Sequence, residues 1–241
     1  MANPSNSLGF FVVKLHWLTL LVLFYLPVTV GHCSVGVVID DFNVSNSGFS
    51  PGRFASVGKH PVSASTDSGI LGGVRKWQVD VTAHQFTDTK IYDGVGGMFG
   101  ISNGMGQNAE ISLRWDGQDN GALLGKFPNQ DLSQAGVNNG FLLNLLSADL
   151  PTEFEMIVSD SLGTAVVLQT HTGAGVGEFR FSDFTGLNFT DIQSIQLNIR
   201  GSGAFDVAIN QISAARLAPE PTTVSIWAGL GVLSIMIRRR R

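Results

Sequence analysis

Cysteine is nearly absent: Cys33 is the only one in 241 residues. A lone thiol excludes a disulfide framework and a cysteine-based zinc site. Charge is also scarce, at 14% of residues against about 25% in typical domains. Basic residues are in deficit where it matters. From Val35 to Arg216 there are 10 Lys and Arg against 18 Asp and Glu, a net charge of −8. Such a surface repels phosphate backbones and argues against a nucleic-acid partner. Helical periodicity is scarce as well. What the chain does have is glycine, 29 residues with no collagen-like period, and 44% hydrophobic residues arranged in short runs. That composition supports a packed core and a turn-rich β protein.

The two ends differ from the middle. Lys14 and His16 lead into an apolar run from Trp17 to Val30, followed by the small residues Gly31, Ser34 and Gly36. This is the order of a secretory signal peptide, assigned to residues 1–34. Cleavage after Gly31, Cys33 or Gly36 fits equally, and His32 stands where a lipoprotein signal would carry a small residue. At the other end, Pro219-Glu220-Pro221 precedes an uncharged apolar stretch, Thr222 to Ile237, and then Arg238, Arg239, Arg240 and Arg241. As a helix the stretch would rise roughly 24 Å, short of the roughly 30 Å hydrocarbon core. Thinning of the bilayer and snorkelling arginines accommodate such a mismatch. The four arginines act as a stop-transfer signal that keeps the tail cytoplasmic and the domain outside.

That three-part tail resembles the PEP-CTERM sorting signal of exported bacterial proteins. The resemblance covers about Pro219 to Arg241 of the sorting segment 217–241 and implies an exosortase-type membrane enzyme as partner, with signal peptidase at the N-terminus. It implies processing near Pro219-Glu220-Pro221, an inner-membrane-anchored precursor, and then a cell-surface or extracellular product. A sorting route carries no activity, so nothing catalytic follows from it.

Residues 35–216 alternate at strand period. Trp77, Val79 and Val81; Ile111, Leu113 and Trp115; Phe154, Met156 and Val158; Phe179 and Phe181; Ile195, Leu197 and Ile199; and Phe205, Val207 and Ile209 each skip one residue. The more continuous runs Val35–Ile39 and Val166–Leu168 read as central strands. Asn46-Ser47-Gly48, Asn103-Gly104, Asp116-Gly117, Asn120-Gly121, Asn139-Gly140 and Gly201-Ser202-Gly203 punctuate them as turns. Asp131–Gln134 and Thr190–Gln193 make one helical turn each at most. Eight to ten strands without a long helix predict an all-β fold: a single antiparallel β-sandwich of jelly-roll type, flanked by the signal helix and the transmembrane helix.

The opening Val37-Val38-Ile39-Asp40-Asp41-Phe42 and the closing Ile209-Asn210-Gln211-Ile212 resemble the ends of galactose-binding-like jelly rolls, which include many carbohydrate-binding modules. The resemblance implies a structural calcium held by Asp40, Asp41 and Asn210, although Asn210 brings an oxygen without a charge. No other cofactor is expected. Tyr92 and Phe99 are the aromatics left to stack on sugar rings, since Trp77 and Trp115 fall in phase with core residues.

Catalytic patterns fail on context. Gly48-Phe-Ser50-Pro-Gly52 matches a nucleophile elbow, but Pro51 denies it the following helix. Gly94, Gly96 and Gly97 lack the last glycine and the βαβ setting of a dinucleotide fingerprint. Asp116-Gly-Gln-Asp119-Asn-Gly121 departs from the EF-hand order. Glu153 and Glu155 share one strand face rather than flanking a cleft. The reading that follows is a non-enzymatic exported surface or exopolysaccharide-associated matrix protein. A calcium-stabilised carbohydrate-binding module is the alternative, and a secreted hydrolase is the third reading.

Overall fold

The structure, a computed structural model, describes residues 34–43, 52–83, 87–118, 125–201 and 203–218. They fall within one compact unit and are all-β. Fourteen strands are β1 (Ser34–Asp40), β2 (Gly52–Phe54), β3 (Gly58–Lys59), β4 (Ser63–Thr66), β5 (Val74–Ala83), β6 (Thr89–Asp93) and β7 (Phe99–Asn103), then β8 (Asn108–Trp115), β9 (Gly140–Ala148), β10 (Thr152–Asp160), β11 (Thr164–His171), β12 (Gly175–Arg180), β13 (Ile192–Gly201) and β14 (Asp206–Arg216). They form two antiparallel sheets. Sheet A runs β12-β9-β14-β7-β6-β2, with β1 also on β14; sheet B runs β11-β10-β13-β8-β5-β3, with β4 also on β5.

The alternation works as the strand pleat requires, one face inward and one outward. Phe154, Met156 and Val158 of β10 meet Ile195, Leu197 and Ile199 of β13 and Ile111, Leu113 and Trp115 of β8 in the core. Phe141, Leu143, Leu145, Ile209 and Ile212 supply the facing layer from sheet A. Both continuous apolar runs were expected at sheet centres and instead lie off them. Residues 34–40 pair only with β14. Residues 164–171 form the edge strand β11, where Val166 and Leu168 remain exposed while Val167 packs on the core. Apolar runs mark central strands only when both faces are covered, and here one face is not. The strand count exceeds the expected eight to ten, in part because β2, β3 and β4 are too short to show a period.

Charge is buried between the sheets. Asp40 sits at the inner end of β1 and Arg75 at the start of β5, both fully buried. Arg75 Nη1 donates to both Asp40 oxygens at 2.6 and 2.7 Å, and its Nη2 donates to Asp93 Oδ1 at 2.5 Å. The indole N–H of Trp115 donates to Asp40 Oδ2 at 2.8 Å; that of Trp77 donates to Asp93 Oδ2 at 2.9 Å. Ser65 Oγ and the Phe42 amide complete the shells of Asp93 and Asp40. The guanidinium also lies over the Phe42 ring, 4.9 Å from its centroid. Burial pushes the Asp40 carboxyl above the ordinary range, opposed by the Arg75 charge and the Trp115 and Phe42 hydrogen bonds. Removing Arg75 alone would leave two buried carboxylates facing each other. Arg75→Ala is therefore expected to cost about 3–5 kcal/mol, read as the loss of unfolding free energy in urea. A cost under about 1 kcal/mol, as for an exposed pair, would show that the cluster is not holding the sheets together.

Candidate functional site

Register decides which side chains reach each outer face, and the two faces differ in kind. On sheet B the outer rows are Glu153–Arg200–Glu110–Asp80, Glu155–Asn198–Ser112–Gln78 and Ile157–Gln196–Arg114–Lys76. These groups are spent on one another. Arg200 donates to Glu155 at 2.7 Å and pairs with Glu110 at 3.1 Å. Asn198 donates to Glu155 at 2.6 Å and accepts from Ser112 and Gln196, both at 2.8 Å. Arg114 donates to Gln196 at 3.2 Å and to Asp116 at 3.0 Å, and Asp116 pairs with the fully buried Lys76 at 2.7 Å. Glu155 is thus held in this ladder, while Glu153, opposite Arg200, lines a shallow depression of about 390 Å³ with Pro151, Thr170 and Arg200.

Sheet A presents the opposite arrangement. Its outer rows are Arg53–Lys90–Ser102–Asp206, then Tyr92–Gly100–Ala208–Ser147, then Gln211–Asn144–Val176. The middle row is small except for Tyr92. A Cβ built on Gly100 would stand 3.4 Å from Tyr92 Cβ and Cδ2, so the half-buried tyrosine leans over that glycine. Compensating bulges make Leu146 of β9 and Asn210 of β14 the extra residues on either side of the Ile209–Leu145 pair. Leu146 is exposed there, and Asn210 Oδ1 is shielded from water without a partner among the described residues. The side chains of Lys90, Tyr92, Ser102, Asn144, Ser147 and Gln211 likewise make no hydrogen bond among the described residues. A flat face about three strand spacings wide, roughly 14 Å, therefore offers one aromatic ring and a ring of uncommitted polar groups.

The sequence-derived candidates separate on this geometry. Tyr92 reaches the outer face, because Thr89, Ile91 and Asp93 are the inward residues of β6. Phe99 does not: it is fully buried, against Trp77 and Phe42, and has no face for a sugar. Of the calcium set, each residue has its own place. Asp40 points into the core with both oxygens committed to Arg75, Trp115 and Phe42. Asp41 accepts from the backbone and side chain of Asn43, and Asn210 lies in the β14 bulge. The strand carrying the first acid turns it inward, and among the described residues no group of three or more His, Cys, Asp or Glu could hold a metal. Pro219, Glu220, Pro221 and Arg238–Arg241 lie outside the described residues; within them no helix is long and apolar enough to cross a membrane. Lys90, Arg53, Asn144 and Gln211 were not singled out from sequence. Their common face depends on pairings between distant strands, and only the T-K-I-Y-D alternation hinted that Lys90 and Tyr92 share a side.

No family model matches the chain, and comparison with curated proteins gives no match. Among solved structures the chain is similar to the family 11 carbohydrate-binding module of the cellulosomal cellulase Lic26A-Cel5E of Clostridium thermocellum, with 13% identity, 78% of this chain and 99% of that chain covered, and a TM-score of 0.37. It is also similar to the module TmCBM61, solved in complex with beta-1,4-galactotriose, with 14% identity, coverage of 65% and 89%, and a TM-score of 0.32. An exo-beta-agarase matches with 11% identity, coverage of 78% and 26%, and a TM-score of 0.39. The structural neighbours thus include carbohydrate-binding modules and an agarase.

Proposed function

We propose that the domain is a non-enzymatic polysaccharide-binding module, exported to the cell surface or extracellular matrix, whose ligand lies across the outer face of sheet A. The observation that carries this reading is Tyr92 leaning over Gly100 among uncommitted amides and hydroxyls. Sugars present an apolar ring face and equatorial hydroxyls, so one aromatic platform plus planar hydrogen-bonding side chains is the complementary surface. Taking a ligand there breaks no existing protein hydrogen bond, whereas the outer face of sheet B would have to open its own network first. Hydrolysis is not supported. Glycosidases need two carboxyls about 5–9.5 Å apart. Glu178 stands roughly 20 Å from Asp206 by strand rise, and Asp149, beside Asp206, is taken by the Asp206 amide, which donates to it at 2.6 Å.

Affinity electrophoresis of residues 33–218 against soluble β-glucans, galactans and uronate-bearing polymers tests the reading. Tyr92→Ala is expected to weaken binding at least about tenfold, the loss of roughly 1.4 kcal/mol, while leaving urea stability within about 1 kcal/mol. Phe99→Ala is expected to cost about 3–5 kcal/mol of stability instead. Glu155→Gln, on the other face, is expected to leave binding unchanged. Binding that survives Tyr92→Ala and fails with Glu155→Gln would move the site to sheet B.

The export half of the reading rests on the sequence order of residues 219–241 and on the apolar lead at residues 17–30. Exosortase-type processing predicts that Glu220→Ala leaves the chain uncleaved in the inner membrane. Intact-mass analysis of exported protein checks it: wild-type product that still ends at Arg241 contradicts the sorting route.

A further inference from the structure

We infer that the sheet A face is built for a sparsely anionic polysaccharide, one that places a carboxylate or sulfate ester beside Tyr92 at Arg53 and Lys90. This rests on the reading of that face as a sugar-binding surface and names the chemistry of its ligand.

Arg53 of β2 and Lys90 of β6 are directly opposed in the antiparallel pair. Opposed residues share a face, with Cβ atoms about 4.5–5.5 Å apart, and like charges in that position are destabilising. Neither residue has an ion-pair or hydrogen-bond partner among the described residues. Half of the ten cations from Val35 to Arg216 are treated differently. Arg75, Lys76, Arg114, Arg180 and Arg200 each lie within 4 Å of a carboxylate. Lys59 is opposed by Asp80 across β3 and β5. In a stretch with a net charge of −8, two uncompensated cations side by side are a local exception.

Their place relative to Tyr92 gives the exception a use. Lys90 and Tyr92 are two residues apart on β6 and face the same way, roughly 6.5 Å along the strand. A pyranose stacked on the Tyr92 ring would hold an exocyclic carboxylate or a sulfate ester within reach of Lys90, with Arg53 behind it able to bond bidentately. The ligand's negative charge would then remove the Arg53–Lys90 repulsion, so binding and relief of repulsion are the same event. The other rows are neutral amides, hydroxyls and small residues, and Asp206 closes the cationic row. An acidic sugar among neutral ones fits this layout. A densely charged polyanion does not, because the domain's remaining charge repels it.

The test compares polymers differing in that one group. The probes are gellan, which carries one glucuronate among neutral sugars in each repeat; its carboxyl-reduced form; alginate as a dense polyuronate; a sulfated carrageenan; and neutral laminarin. Gellan is expected to bind about tenfold tighter than its carboxyl-reduced form, the worth of one charge-assisted hydrogen bond. Arg53→Gln with Lys90→Gln should erase that preference without weakening the reduced polymer, while Tyr92→Ala weakens both. Carrageenan bound in place of gellan, with the same dependence on Arg53 and Lys90, assigns the anion as sulfate. Equal binding of native and reduced polymers, or a preference unaffected by the double substitution, overturns the inference and leaves the sugar-binding reading standing. Alginate bound more tightly than gellan and carrageenan overturns the sparse-charge assignment. Binding of none of the five overturns both.

Discussion

The buried ion pairs of Arg75 with Asp40 and Asp93 constrain everything outside them. Asp40 comes from β1 and Asp93 from β6, both in sheet A; Arg75 comes from β5 in sheet B, and the two indoles that finish the carboxylate shells come from β5 and β8. One guanidinium therefore ties strands distant in sequence across the core. A side-chain period of two means that a slip of one residue reverses every side chain on a strand. On β6, whose five residues give little hydrophobic specification, the slip is forbidden because Asp93 would lose Arg75, Trp77 and Ser65 together. Fixing Asp93 inward fixes Tyr92 and Lys90 outward. The direction of the candidate site is thus set by a bond on the other side of the sheet.

The contrast between the outer faces follows from the same economy of polar groups. Buried or half-buried donors and acceptors are costly when unmade. Sheet B meets that requirement internally, with Glu155 shared by Asn198 and Arg200, and Asp116 shared by Lys76 and Arg114. Sheet A leaves its amides to water. Water is easily exchanged for sugar hydroxyls of similar hydrogen-bonding capacity, so an unsatisfied face is a recognition surface at low cost and a satisfied one is a wall.

Much of the architecture was legible in the sequence, because strands with one wet face write their period into the chain. β8, β10 and the first half of β14 follow the alternation residue by residue, and β5 follows it from Trp77 to Val81. Legibility failed where local pattern and long-range pairing part company. Val35–Ile39 and Val166–Leu168 read as central because they are apolar, yet neither lies at a sheet centre. Asp40 read as a calcium ligand because it is an acid at the end of the first strand; no local feature shows that an arginine 35 residues away takes it. Tyr92 and Phe99 looked equivalent as free aromatics. Only the β6–β7 register, which sets Tyr92 against Gly100 and Asp93 against Phe99, puts one outside and one inside.

Electrostatics completes the distinction between the faces. An acidic domain that spends Arg75, Arg114 and Arg200 on buried or ladder carboxylates leaves few cations free at its surface. The Arg53–Lys90 pair then stands out against a negative background rather than adding to a basic patch. A field of that shape does not attract polyanions from a distance, since the long-range term is repulsive and is screened within about 8–10 Å at ordinary ionic strength. It acts only after the ring has docked on Tyr92, where a single anion meets two cations at contact distance. On the proposed reading shape admits the ligand first and charge discriminates second, an order that lets one face separate polymers of similar backbone by a single substituent.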